Sequence, residues 1–182
     1  MDQLTRQFFT DVHSQDRDRR YEAYQYLLKE TQEPVGWAYE VWEELLTLLS
    51  QGDNHERSIA AQLLSNLAKS DPERRIVRDI DKLILVTKDE RFVTARHTLQ
   101  SLWKIGVVDL VLQELVCQKL EARFKECASE KNATLIRYDI IVNFNKMYQQ
   151  FQDETVKQRA MMLIGLEADP KYQKKYSAVW KR

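Results

Sequence analysis

Glycine and proline are scarce in this chain, with four and three copies in 182 residues. No glycine-rich loop exists to cradle a phosphate, and there are few breakers for a turn-rich β fold. The two cysteines, Cys117 and Cys127, are too few for a disulfide framework. If one helix carries both, they lie about 15 Å apart, beyond disulfide reach. They read as free, reduced thiols, with a redox-sensor role for Cys127 as the alternative. Net charge is also missing, because 28 basic side chains face 28 acidic ones. That balance removes the field that draws strongly basic proteins to nucleic acid or anionic membrane. No window nears the ~20 apolar residues of a membrane span, and Met1-Asp2-Gln3-Leu4-Thr5-Arg6 has no signal-peptide pattern. The expected compartment is therefore the cytoplasm, with no membrane partner. His13, His55 and His97 are the only histidines, none in a ligand-spaced pair, and no serine sits in a Gly-x-Ser-x-Gly setting. The sequence thus predicts no metal, no cofactor and no catalytic residue, and the chain is read as not an enzyme.

Apolar residues are plentiful at 43%, with 10% aromatics, enough to build a core and too many for disorder. Their period is helical. Tyr24, Leu27 and Leu28, then Ile59, Leu63, Leu64 and Leu67, then Leu99, Leu102 and Trp103 recur at three- and four-residue steps. The pattern predicts an all-α chain with helices over 2–12, 16–31, 36–50, 54–69, 72–87, 90–105, 108–127, 131–151, 154–168 and 171–181. Gly36, Gly52, Gly106 and Gly165, with Pro34, Pro72 and Pro170, fall at or near the ends of these runs. Start signals support the boundaries: Asp53 leads into Glu56, Asp71 precedes Pro72, Asp89 precedes Glu90 and Asp169 precedes Pro170.

Self-similarity is the strongest signal. Arg20-x-x-Ala23-x-x-x-Leu27 recurs as Arg57-x-x-Ala60-x-x-x-Leu64 and, less fully, as Phe92-x-x-Ala95-x-x-x-Leu99, at spacings of 37 and 35 residues. A period near 36 with two helices per unit means stacked helical hairpins. The alanine lets two helices approach closely, and the leucine four positions on fills the space beside it.

The stretch Asn54-His55-Glu56-Arg57-Ser58-Ile59-Ala60-Ala61-Gln62-Leu63-Leu64-Ser65-Asn66-Leu67-Ala68-Lys69-Ser70-Asp71-Pro72 resembles the first helix and bend of a HEAT repeat, and 90–106 resembles a second copy. The resemblance is good over 53–106, fair over 16–50 and weak beyond 127. It implies an α-α superhelix, a HEAT-like solenoid of about four to five helical hairpins. On this reading 1–182 is one repeat domain, with regular repeats over 16–127 and an irregular helical cap over 128–182. Within the cap, Arg137-x-x-Ile140-x-x-x-Phe144 and the stretch from Arg159 to Pro170 both look like a first helix, leaving the last repeat ambiguous. A more distant resemblance, in size and helical make-up, is to the HEAT-like bacterial alkylpurine DNA glycosylases. Their Trp-x-x-x-Asp element has no counterpart, since Val41 follows Trp37 at that spacing and Leu46 follows Trp42, so no catalytic residue is carried over.

Two surfaces carry candidate binding residues. On the 72–87 helix, Arg75, Arg78 and Lys82 form one stripe beside Arg74, opposite Ile76, Ile80, Leu83 and Ile84. In a HEAT-like array this second helix would line the concave face. The plainer reading, which the sequence favours, is a solvated face balanced by Glu73, Asp79 and Asp81. At the C-terminus, Lys171, Lys174, Lys175, Lys181 and Arg182 are interleaved with Tyr172, Tyr176 and Trp180, a basic aromatic helix expected to dock on its own protein. The tryptophans Trp37, Trp42, Trp103 and Trp180 read as packing residues. The resemblance and these surfaces imply a non-enzymatic scaffold that binds a protein partner. A nucleic-acid-binding or repair-related protein using Arg74, Arg75, Arg78 and Lys82 is the alternative, and an accessory protein like the HEAT-like lyases of protein-bound pigments is a third.

Overall fold

Aspartates decide where most of the helices begin. The computed structural model describes residues 1–181. In chain order its helices are α1 (Gln3–Asp11), α2 (Arg17–Glu30), α3 (Ala38–Gln51), α4 (Asn54–Leu67), α5 (Arg75–Val86), α6 (Phe92–Ser101), α7 (Trp103–Gly106), α8 (Leu110–Glu126), α9 (Ala133–Phe151), α10 (Glu154–Gly165) and α11 (Pro170–Ser177). No strand forms among the described residues, so the fold is all-α. Asp2, Asp16, Asp53, Asp109, Asp153 and Asp169 cap α1, α2, α4, α8, α10 and α11, each carboxylate accepting first-turn backbone N–H groups. Such a cap is worth about 1 kcal/mol, because those donors have no partner inside the helix. At α4 it is reciprocal, the Glu56 carboxylate accepting the Asp53 N–H at 2.8 Å.

The chain forms two compact units, Met1–Ser101 and a second from Leu102 onward. In the first, α2 packs on α4 and α4 on α6, while α3 packs on α5, giving two layers of alternate helices. The repeated motif supplies the contact between layer neighbours. Ala23, Leu27, Ala60 and Leu64 are fully buried, and Ala95 and Leu99 nearly so. Burying one such leucine contributes about 2 kcal/mol, and truncating it to alanine costs about 2–5 kcal/mol. Polar bonds between alternate helices follow the same period: Ser65 to Ser101 at 2.9 Å, Asn66 to Thr31 at 2.8 Å and Tyr24 to Gln62 at 3.0 Å. In the second unit α9 packs on both α7 and α11, and α10 packs on α8. α9 is therefore the helix beside α7, with Ile140 and Phe144 of its repeat-like motif fully buried.

Two predicted helices differ from expectation, each for a local reason. The helix expected over 90–105 starts at Phe92 and breaks at Leu102 into α6 and α7. Thr98 and Ser101 turn their hydroxyls back onto the carbonyls of Thr94 and Thr98, which loosens the ladder. The Trp103 N–H is captured at 2.7 Å by the Asn143 carboxamide oxygen of α9. The helix expected over 72–87 begins only at Arg75. Arg74 takes a left-handed conformation, φ 57°, and Asp71 reaches over the turn to accept the Arg75 and Ile76 N–H groups at 3.0 and 2.8 Å. No helix of the described residues is long and apolar enough to cross a membrane.

Candidate functional site

The α5 register sends Ile76, Ile80, Leu83 and Val86 into the core, and Asp79 falls on the same inward face. Its side chain is 0% exposed. Burial would raise the Asp79 pKa, yet hydrogen bonds from Arg78, Lys82 and Trp42 outweigh it and hold the carboxyl at about 2. Trp42, also fully enclosed, donates its indole N–H to Oδ2 at 3.0 Å. The Arg78 Nη2 donates to the same oxygen at 3.0 Å and the Lys82 Nζ to Oδ1 at 2.8 Å.

The structure thus brings Arg78 and Lys82 together over one buried carboxylate, and Arg78 also lies 3.5 Å from Glu43. Arg75 donates to Glu73 at 3.1 Å and stacks 3.9 Å above the Tyr39 ring, whose hydroxyl donates to Asp71 at 2.6 Å. Arg74 lies on the turn before the helix. Outward beside these cations lie Val77 and Leu85, 45% and 68% exposed. The face is one of matched ions interrupted by bare aliphatic surface. Sequence reasoning placed Asp79 among the solvated acids, although its position three after Ile76 and four before Leu83 marks it as inward.

A second feature lies on the other layer of this unit. The N-terminal parts of α2, α4 and α6 line a half-open pocket of about 410 Å³. Its walls include Arg17, Arg20, Tyr21 and Tyr24 of α2, His55, Ser58 and Gln62 of α4, and Val93 and His97 of α6. Tyr24 donates to the Gln62 carboxamide at 3.0 Å, and Gln62 in turn donates to the Ser58 carbonyl at 3.1 Å, which fixes the floor. Desolvation against this wall, with Arg96 adjacent, lowers the His97 pKa and keeps its ring neutral at pH 7. The sequence carried a signal for the site in Arg17, Arg20, Tyr21 and Tyr24, which recur at i, i+3, i+4 and i+7.

The remaining candidates resolve into packing. Trp37 meets Phe9 edge to face at 5.7 Å, Trp103 lies under Lys146 at 4.5 Å and Trp180 lies against Tyr148 at 5.5 Å. In the terminal segment Tyr176 is fully buried and donates to the Thr134 carbonyl at 2.9 Å, so the aromatic stripe docks on α9. Lys175 covers Tyr138 at 4.9 Å, while Arg182 lies outside the described residues. Both cysteines are buried and free. Burial pushes the Cys117 thiol up to about 12 and raises that of Cys127, which suppresses the thiolate a redox sensor needs. His13 pairs with Glu56 at 2.6 Å and lies 3.9 Å from Glu44. Among the described residues no group of three or more His, Cys, Asp or Glu is placed to hold a metal. No protein-family model matches this chain, and no curated protein matches it.

Proposed function

We propose that the chain is a HEAT-like helical-repeat adaptor that docks a protein partner on the face of α5. The layered packing of alternate helices, joined by side-chain bonds about one sequence period apart, supports the HEAT-like superhelical reading. The observation that carries the partner's class is the pairing state of the cations. Asp79, Glu43 and Glu73 already meet Lys82, Arg78 and Arg75, so little positive charge is left to displace counterions from a polyphosphate. On the same helix the exposed Val77 and Leu85 offer the apolar contact that protein interfaces use at their centres.

Affinity capture from native cell extract tests this. A Val77→Asp/Leu85→Asp variant and an Arg75→Glu/Arg78→Glu variant should both lose the partner that wild type retains, and equal recovery would reject the surface. The nucleic-acid reading, using Arg74, Arg75, Arg78 and Lys82, predicts instead a DNA affinity that falls steeply with salt. Absence of DNA binding at low salt removes it.

A further inference from the structure

We propose that the cavity walled by α2, α4 and α6 binds a small aromatic oxyanion, an aryl phosphate or aryl carboxylate, independently of the α5 face. The argument begins with which polar groups are unused. Elsewhere in the molecule guanidinium groups are committed: Arg57 to Asp89 at 2.6 Å, Arg137 to Glu167 at 2.9 Å and Arg159 to Glu121 at 2.6 Å. Around this cavity the pattern reverses. Arg17 has no ion-pair or hydrogen-bond partner among the described residues, and Arg20 spends one nitrogen on the Ser14 carbonyl at 3.1 Å. Neither the His55 ring, the His97 ring nor the Tyr21 hydroxyl has a hydrogen-bond partner among the described residues.

No carboxylate is part of the wall. Asp18 and Glu22 adjoin Arg17 and Tyr21 in sequence but are not part of the wall, and three other nearby carboxylates are engaged. Asp16 caps α2, Asp53 caps α4 through the His55 and Glu56 N–H groups, and Glu56 accepts from Asp53 N–H and the His13 ring. Arg17 and Arg20 thus both line a pocket whose wall holds no carboxylate, although Asp53 interacts electrostatically with Arg20 and His55, and a bidentate contact to an oxyanion is what a guanidinium can offer there. The ring specificity comes from Tyr21, 63% exposed, and Tyr24, whose rings lie 6.4 Å apart at the same wall. Beside them, Ile59 and Val93 supply apolar lining. A cavity of about 410 Å³ has room for a ring and its anionic group together.

The test is titration of the full chain with phenyl phosphate, inorganic phosphate and phenol at constant ionic strength, read by ¹H–¹⁵N NMR shifts. Phenyl phosphate should move the amides of the first turns of α2, α4 and α6 and bind about tenfold more tightly than either fragment. Arg17→Gln and Tyr21→Ala, both at exposed positions, should each weaken it about tenfold with unchanged thermal unfolding, whereas Arg78→Gln on the other layer should leave it intact. Shifts centred on α5, equal affinity for phenol, or unaltered affinity in both cavity variants would each overturn the proposal. Because Arg78→Gln addresses the α5 face alone, a failure here is separable from a failure of the protein-docking reading.

Discussion

Among the described residues each unit encloses one charged side chain completely, and the two are of opposite sign. In Met1–Ser101 the enclosed ion is the Asp79 carboxylate, while its partners Arg78 and Lys82 stay 64% and 52% exposed. In the second unit the enclosed ion is the Arg123 guanidinium, 0% exposed, and its partner Glu130 stays 38% exposed. Spacing differs as well. Bonds between alternate helices span 35–40 residues in the first unit and 40–45 in the second. The cause is helix length, since α8 and α9 run 17 and 19 residues against 14 for α2, α3 and α4. A longer helix stretches the period, whereas the sign of the enclosed ion is set by the residue at one inward position of its helix, Asp79 on α5 and Arg123 on α8.

The largest expected effect breaks the second unit. Arg123→Ala removes one of the biggest fully buried side chains and should cost about 3 kcal/mol in urea unfolding, whereas Arg123→Met, which keeps the volume, should cost far less. Equal losses in the two variants would show that the charge, and not the packing, matters there. In the first unit, Asp79→Ala orphans the Trp42 N–H and should cost about 2 kcal/mol. Acid sharpens the contrast. Asp79 titrates near 2 when folded against an ordinary 3.8, so its stabilisation is complete above pH 4 and is lost as pH falls toward 2. Wild type should lose stability across that window and Asp79→Asn should show a shallower decline, measured by thermal unfolding against pH.

The same contrast explains what the sequence disclosed. The Arg20/Arg57 motif exposed the first unit because its alanines and leucines are buried at each recurrence. Nearly all helices were legible because Asp53, Asp169 and similar caps announce them. The break at Leu102 was not, since it depends on an Asn143 carboxamide arriving from 40 residues away. Of the candidate site, Arg75, Arg78 and Lys82 were visible as a stripe, and Glu73 and Asp79 as acids that balance it, but the enclosure of the Asp79 carboxylate was not. It hinges on Asp79 being inward and on Trp42 reaching it from α3. The pocket was only partly legible for a related reason: its walls come from three helices, and no single window contains more than one helix's share.

The smallest expected effect tests whether the units tolerate strain equally. Each holds one non-glycine residue in the left-handed region, Arg74 at φ 57° before α5 and Gln152 at φ 54° after α9. A side chain there costs about 1 kcal/mol that glycine avoids. Gln152 makes a helix-ending bond, its N–H to the Tyr148 carbonyl at 2.7 Å, and has an exposed side chain. Gln152→Gly should therefore raise the unfolding free energy by about 0.5–1 kcal/mol. Arg74→Gly should gain a similar amount only if the guanidinium contributes nothing to the fold. A gain at 152 with none at 74 would mean that the Arg74 side chain is held by the first unit, and a protein partner would then meet a rigid cation there. Equal gains would mean that its conformation is kept at a cost to stability, as expected of a residue placed for contact.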